Sequence, residues 1–332
     1  MIYKNLGRTG IKVSAVGLGC GNFGGVGSAP ELFGQGESEA EAFEIMDMAW
    51  ELGINLFDTA DAYGGGRSEA AIGKWLKKRG SSVRDKLILS SKVYAPVGDG
   101  PNDRGLSRRH IKRQVETSLK RLGVDHLDLY LIHAPDPDTP LEETLSALSD
   151  LVRGGLVHYL GACNMPAWLM VKALWLSDKH HYQRFEWVQN AYSLLERDDE
   201  REMLPLCRDQ GLGYTPYSPL AGGFLTGKYR LDEDYPAGSR MTLRPEPYQA
   251  YWRRQTFEAL NGLRVEAEQR GVSMASLALA WVMAAPEVTA PIVGPRSPEH
   301  FEVVREALEL SLSPEERDGL TELFRKRGSG SD

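Results

Sequence analysis

The sequence predicts a (β/α)8 barrel, an α/β fold, with long loops over its active face. Two observations carry this expectation. Short apolar runs alternate with amphipathic stretches along 332 residues, and eight such apolar runs can be counted. Strands are expected at residues 13–18, 54–57, 86–91, 127–132, 157–161, 185–189, 213–216 and 288–293. Helical stretches between them include 39–52, 68–78, 109–122, 142–152 and 299–308. In 109–122 the apolar residues Ile111, Val115, Leu119 and Leu122 recur at helical spacing. Thr139-Pro140-Leu141-Glu142 reads as a cap, Pro at the first helical position and Glu closing a capping box. Ser313-Pro314-Glu315-Glu316 opens a terminal helix expected over 314–326. Three segments break the short-loop rhythm. Residues 24–38 and 94–106 are rich in Gly and Pro, and 226–251 is long, charged and holds three prolines. On a barrel all three follow strands and wall the active face. No domain boundary interrupts the pattern, so residues 1–332 read as one barrel domain.

Bulk properties fit this. The chain is 42% hydrophobic and 26% charged, enough to bury a large core without staples. A formal net charge of −7 with no long basic run argues against a nucleic-acid partner. Cys20, Cys163 and Cys207 are far apart and form no disulfide or metal spacing, which suits a reducing, cytoplasmic setting. Residues 1–20 carry no secretory leader pattern, and the longest apolar stretch, 277–285, is too short to span a bilayer. No membrane partner is expected. Nothing in the sequence speaks to oligomeric state.

Chemistry-bearing residues gather where strands are expected to end. Phe57-Asp58-Thr59-Ala60-Asp61-Ala62-Tyr63-Gly64 follows the second strand, Lys92 closes the third, and Leu131-Ile132-His133-Ala134-Pro135-Asp136 closes the fourth. Asn164, Gln189 and Ser218 stand at later strand ends. In a barrel the carboxyl ends of strands carry the active residues. The runs DTADAYGGGRSE, SSKV, SLKRLGVDHLDLYLIHAPD, GACN, QNAYS and YSPLAGGFLTGKY occur in an order that resembles the aldo-keto reductase family, from about residue 2 to about residue 310. The set most resembles the branch with aryl-alcohol and sugar-related reductases and the potassium-channel β subunits. The resemblance implies the same barrel. It also implies an N-terminal β-hairpin over the barrel floor at residues 1–12, turning at Gly7-Arg8-Thr9-Gly10.

The implied reaction is carbonyl reduction or its reverse, in which the protein supplies a proton and a nicotinamide a hydride. A tyrosine in water has a pKa of about 10, and a nearby ammonium lowers it. Lys92 is expected to act on Tyr63 in this way. Asp58 is expected to neutralise and fix Lys92, because a buried lysine is costly unless paired. His133 is expected to hydrogen-bond the substrate oxygen or Tyr63. Tyr63 then serves as general acid in reduction and general base in oxidation. Each residue has a plainer use: Asp58 as a helix cap, Tyr63 as a packing aromatic, Lys92 as a strand-end charge, His133 as a structural histidine. The four together, in matching runs, point to chemistry.

Gly19-Cys20-Gly21-Asn22-Phe23-Gly24 fits G-x-G-x-x-G after a strand, but no helix follows until near Ser38, so the Rossmann reading fails. The resemblance places Gly19, Cys20 and Gly21 near the nicotinamide instead. Asn164 and Gln189 offer both donors and acceptors, and the resemblance assigns them the carboxamide. Tyr217 is the stacking candidate for the ring. Ser218, Pro219, Leu220, Gly222 and Lys228 would cradle the pyrophosphate. Gly294-Pro295-Arg296-Ser297 precedes a helix expected to be capped by Ser297-Pro298-Glu299. Arg296, helped by Arg240, is suited to a 2′-phosphate, which favours NADP(H) over NAD(H). The sequence departs from the family at three points. Cys163 stands where Ser is common, His300 where Gln is frequent, and Val303 and Val304 where an acid and Asn contact adenine. Altered adenine recognition is the expected result.

The expected substrate is a small carbonyl compound: an aldehyde, ketone or aldose. Asn22, Phe23, Tyr63, Tyr94, Trp168 and Trp252 are the candidate pocket residues. Two other functions compete: a Schiff-base aldolase using Lys92, and a nucleotide-binding regulatory or redox-sensor subunit.

Overall fold

The computed structural model describes residues 1–325. Residue 326, the last of the expected terminal helix, and the stretch to 332 lie outside the described residues. The chain opens with an antiparallel pair, β1 (Tyr3–Asn5) and β2 (Lys12–Ser14). This is the hairpin implied by the family resemblance. Leu6 and Val13, both fully buried, belong to the apolar cluster that fills the barrel interior.

The rest of the chain alternates strand and helix. β3 (Gly17–Gly19), α1 (Glu39–Glu51), β4 (Leu56–Asp58), α2 (Arg67–Arg79), the short α3 (Ser81–Arg84) and β5 (Ile88–Val93) form the first part. α4 (Arg108–Leu122), β6 (Leu127–Ile132), α5 (Leu141–Arg153), β7 (Val157–Cys163), α6 (Ala167–His180) and β8 (Phe185–Gln189) follow. The barrel is completed by α7 (Met203–Gln210), β9 (Gly213–Tyr214), α8 (Arg240–Leu243), α9 (Arg254–Arg270), α10 (Met274–Met283), β10 (Ile292–Val293), α11 (Phe301–Glu309) and α12 (Pro314–Leu323). Eight parallel strands pair in the order β10-β3-β4-β5-β6-β7-β8-β9. The ring closes where Thr289 N–H donates to the Tyr214 carbonyl and Ile292 N–H to that of Pro216, each at 2.8 Å. This is the predicted (β/α)8 barrel. Among the described residues no helix is long and apolar enough to cross a membrane. All three cysteines are free and buried.

Several expected boundaries move. The first strand, expected over 13–18, is two elements. The Ser14 hydroxyl donates to the Val16 carbonyl at 2.7 Å, and the Ser14 N–H is taken by the Asn55 side chain at 2.7 Å, which turns the chain from hairpin to barrel. The third strand runs two residues later than expected, because Leu87 N–H bonds back to Val83 at 3.0 Å. Lys92 therefore lies inside β5 rather than after it. The last two strands shrink to two residues each. Capping is mixed. Ser313 and Glu316 form the capping box that opens α12, and Ser38 and Glu41 form another on α1. The box expected at Thr139 does not form: the Thr139 hydroxyl donates to Asp136 at 2.8 Å, and Pro140 is the N-cap of α5.

Strand alternation sorts the side chains into two cores. Outward residues such as Phe57, Leu89, Val93, Ala162 and Val188 pack against the helices with Trp75, Ile111 and Val115. Inward residues Leu56, Leu129, Leu131, Trp187 and Ile292 fill the barrel. Two residues further along the strands, the same inward parity selects Asp58, His133 and Gln189. The barrel interior thus changes from apolar to polar toward its carboxyl end.

Gly161 makes room for the Trp187 ring inside the barrel; a Cβ there would lie 2.5 Å from the indole. Gly161→Ala should therefore lower unfolding free energy by about 1–3 kcal/mol through overpacking. Urea denaturation measures this. An unchanged midpoint would show that the Trp187 layer is looser than the structure describes.

Candidate active site

Asp58 is the last residue of β4, and Lys92 sits in β5 with the same inward direction. Lys92 is wholly buried and Asp58 is 4% exposed. The Lys92 ammonium donates to Asp58 and to the Thr59 carbonyl, the latter at 2.9 Å. Asp58 also accepts from the Ser90 hydroxyl at 3.0 Å and the Gln189 amide at 3.1 Å. Burial lowers the Lys92 pKa; the adjoining Asp58 carboxylate more than reverses this and holds it above the ordinary value. Ser90 was not singled out in the sequence, although its inward parity two residues before Lys92 was the signal.

Tyr63 lies five positions beyond Asp58, at the start of a kinked turn over Tyr63–Gly66 in which Gly64 and Gly65 take left-handed angles, with φ of 57° and 66°. Its ring centroid is 5.0 Å from the Lys92 amine, and its hydroxyl is 3.3 Å from His133 Nε2. The expected net lowering of the Tyr63 pKa is not found. Burial raises it to about 12, outweighing the opposing pull of Lys92, and the Asp58 charge adds to the rise. His133 follows β6. Among the described residues its Nδ1 is buried without a hydrogen-bond partner. The residue is half-buried, and burial, then Lys92 and Arg244, depress its pKa to about 3. The four residues expected to meet are therefore together.

The remaining candidates rim the same end of the barrel. The Asn164 amide donates to the His133 carbonyl at 2.9 Å and accepts from the Tyr217 hydroxyl at 2.7 Å. The Cys163 thiol lies 3.7 Å from the Gln189 amide oxygen, and burial pushes it up to about 12. Asn164, Ser218 and Ala221 hold left-handed backbone angles, with φ of 54°, 54° and 47°. Such angles are uncommon outside glycine and gather at functional loops. Gly21 abuts the Tyr63 ring. Cys20, by contrast, is wholly buried and packs its side chain in the outer core. Tyr248, absent from the sequence expectations, meets the Ser218 hydroxyl at 3.3 Å and packs on Gly222.

A basic cluster stands beside this rim. The Lys228 pKa is lowered by burial and by the charges of Arg296 and Arg240. Arg240 donates to the Asn22 side chain at 3.0 Å. Arg296 donates to Glu37 at 2.7 Å and to the Gly238 carbonyl at 2.7 Å, while its own N–H bonds His300 Nδ1 at 3.1 Å. Glu37, 5% exposed, is a partner no motif announced; it precedes the α1 cap and reaches Arg296 only through the fold. Lys228, Arg240 and Arg296 crowd together, and among the described residues only Arg296 of the three bonds Glu37; such a cluster suits a multiply charged anion, so these residues fit a phosphate-bearing dinucleotide. The helix expected to start at Ser297 begins with a 3-10 turn, Pro298–His300, before α11, and Ser297 makes no side-chain cap. Val304 is turned into the core, with Val303 packed beside it. Two pocket candidates are corrected. Phe23 is 1% exposed in the outer core, and Trp252 packs among Phe224, Tyr229, Tyr235 and Phe257. Trp168 remains 65% exposed.

Comparison with known proteins adds the following. The family model described as "Aldo/keto reductase family" matches residues 15–324. The chain is 42% identical over 332 residues to the uncharacterized oxidoreductase YrpG of Bacillus subtilis (strain 168), covering 98% of this chain and 96% of that protein. It is 35% identical to the versiconal hemiacetal acetate reductase of Aspergillus parasiticus, covering 98% and 97%. It is 37% identical to a probable voltage-gated potassium channel subunit beta of Oryza sativa subsp. japonica, covering 89% and 87%.

The His133 environment has a pH consequence. Its folded pKa lies below the value of about 6.5 for an unfolded histidine, so the unfolded chain binds more protons between the two. The stability this group contributes is complete above pH about 6.5 and is lost as pH falls toward about 3. Nitrogen-15 spectra of the histidine rings should show His133 neutral at pH about 6, where a free ring is mostly protonated. An imidazolium signal from His133 at that pH would contradict the site's electrostatics.

Proposed function

The chain belongs to the aldo/keto reductase family of oxidoreductases, and from that premise we propose that it is an NADP(H)-dependent reductase interconverting a carbonyl and an alcohol. One observation carries the proposal: the Lys92–Asp58 pair lies 5.0 Å from the Tyr63 ring, whose hydroxyl meets His133. In reduction the Tyr63 hydroxyl gives its proton to the carbonyl oxygen; in oxidation the phenolate takes it from the alcohol. The Lys92 ammonium lowers the cost of that phenolate. Asp58 keeps Lys92 charged and aimed. His133, neutral, orients the carbonyl oxygen without competing as an acid.

A bound nicotinamide supplies or accepts the hydride. Asn164 and Gln189 would hold its carboxamide and Tyr217 its ring face, with the backbone of Gly19, Cys20 and Gly21 nearby. Ser218, Pro219, Leu220, Gly222 and Lys228 would hold the pyrophosphate. Arg296 and Arg240 would take the 2′-phosphate, with Gly294 and His300 beside them. Free, buried cysteines are in keeping with a reducing compartment. An aldehyde, ketone or aldose is the proposed substrate.

The aldolase alternative finds no support. A Schiff base needs a free amine, and Lys92 is buried, paired and held protonated. The likeness to channel β subunits favours one second reading, a nucleotide-binding subunit. Nucleotide binding without turnover on a panel of aldehydes, quinones, diketones and sugars would select it.

Tyr63→Phe keeps the ring and removes the proton. It should cut turnover by about 10²–10⁴-fold while leaving cofactor affinity near the wild-type value. Near-normal turnover would remove Tyr63 from the reaction. Arg296→Ala should weaken NADPH binding much more than NADH binding, read by fluorescence titration of each. Equal losses would end the 2′-phosphate assignment.

A further inference from the structure

At the opposite end of the barrel, His126 precedes β6, Asp128 lies within β6 and His158 lies within β7. The β6–β7 register pairs Leu127 with Val157 and Leu129 with Tyr159, which sets Asp128 beside His158. The two imidazoles stack, with ring centroids 4.3 Å apart. One ligating atom from each of the three residues lies within 4.8 Å of the others. From this we propose a binding site for a divalent transition metal, of the Zn²⁺ type, held by His126, Asp128 and His158.

Three features support the assignment. First, His126 Nδ1 is 2.6 Å from the Asp125 carboxylate, so the neutral ring carries its proton there and turns the Nε2 lone pair inward. A carboxylate behind a ligating histidine is the usual way to fix its tautomer and raise its basicity. Second, the Asp128 oxygens are divided. Oδ2 accepts from Arg84 at 3.0 Å and from the Leu89 N–H at 2.9 Å. Oδ1 faces His126 Nε2 at 4.0 Å and His158 Nδ1 at 3.9 Å, too long for hydrogen bonds. Metal–ligand bonds of about 2.0–2.2 Å place two ligands of one ion roughly 3–4 Å apart, so the site closes when side-chain rotation takes the two rings out of their stack and their in-plane lone pairs converge. Third, the residues line a groove of ≈ 1060 Å³ shared with Lys77 and Arg121, and His158 is 47% exposed, so an ion has an entry path.

Two imidazoles and one carboxylate prefer Zn²⁺, Ni²⁺ or Cu²⁺ over Mg²⁺ or Ca²⁺. Water would complete the coordination. Because the site joins the amino ends of β6 and β7, away from Tyr63, its effect is on stability rather than turnover.

Chelator-treated full-length protein should take up one Co²⁺ or Zn²⁺ per chain, followed by visible Co²⁺ absorption and by calorimetry, with a rise in Tm that excess Mg²⁺ does not reproduce. His126→Ala and His158→Ala should each weaken binding by at least about tenfold, with turnover kept, and Asp125→Asn, a positioning change, by about tenfold or more. The double variant His180→Ala/His181→Ala, at another exposed histidine pair, should bind normally. Absence of uptake by the wild-type chain would overturn the proposal, as would uptake that survives His126→Ala and His158→Ala.

Discussion

The buried Lys92–Asp58 pair is the interaction on which the site depends. Taking an ammonium wholly out of water costs several kcal/mol, and only a well-placed partner with further hydrogen bonds offsets this. Here the partner comes from β4, and the surrounding bonds come from Thr59, Ser90 and Gln189. Strands far apart in sequence must therefore close correctly for the lysine to be tolerated. Once they do, the Tyr63 hydroxyl and the His133 ring are fixed beside a permanent positive charge. Burial that would make the phenol a poor acid is opposed at one point only, by that charge.

The rim shows how the barrel divides labour. Its interior is apolar along most of each strand and becomes polar toward the carboxyl ends, at Asp58, His133 and Gln189. Left-handed backbone at Asn164, Ser218 and Ala221 is held in place by neighbours such as Tyr217 and Tyr248. The cationic side of the rim is balanced in part by Glu37, whose burial raises its pKa while Arg296 opposes the rise. That carboxylate links the loop after β3 to the segment after β10 and, through Arg296, to Gly238 of the long loop. The loops over 24–38 and 226–251 are thus tied across the mouth, whereas the 94–106 loop is held separately, its last N–H, on Leu106, donating to Asp136.

The amino end of the barrel follows a different logic. Leu6 and Val13 close its interior, Gly161 and Trp187 fill the layer above, and polar groups such as Arg84, His126 and Asp128 lie around its outer edge. None of these approaches the chemistry at the other end.

Local periodicity settles much of this protein in advance. Alternation of apolar runs and amphipathic stretches is enough for eight βα units, and Ile111, Val115, Leu119 and Leu122 bury one face of α4 as their spacing requires. The runs around Asp58, Lys92 and His133 mark the groups that meet at the barrel mouth because period-two alternation and strand-end position are properties of neighbouring residues. Folding alone decides what depends on pairing between distant segments. It splits 13–18 between hairpin and barrel, draws Thr139 to Asp136 instead of its own helix, and sends the Phe23 ring into the core. It also sets Glu37 on Arg296 and His126 beside His158. Such partners are chosen by closure of the ring, and short-range spacing carries no record of which strand end will face which.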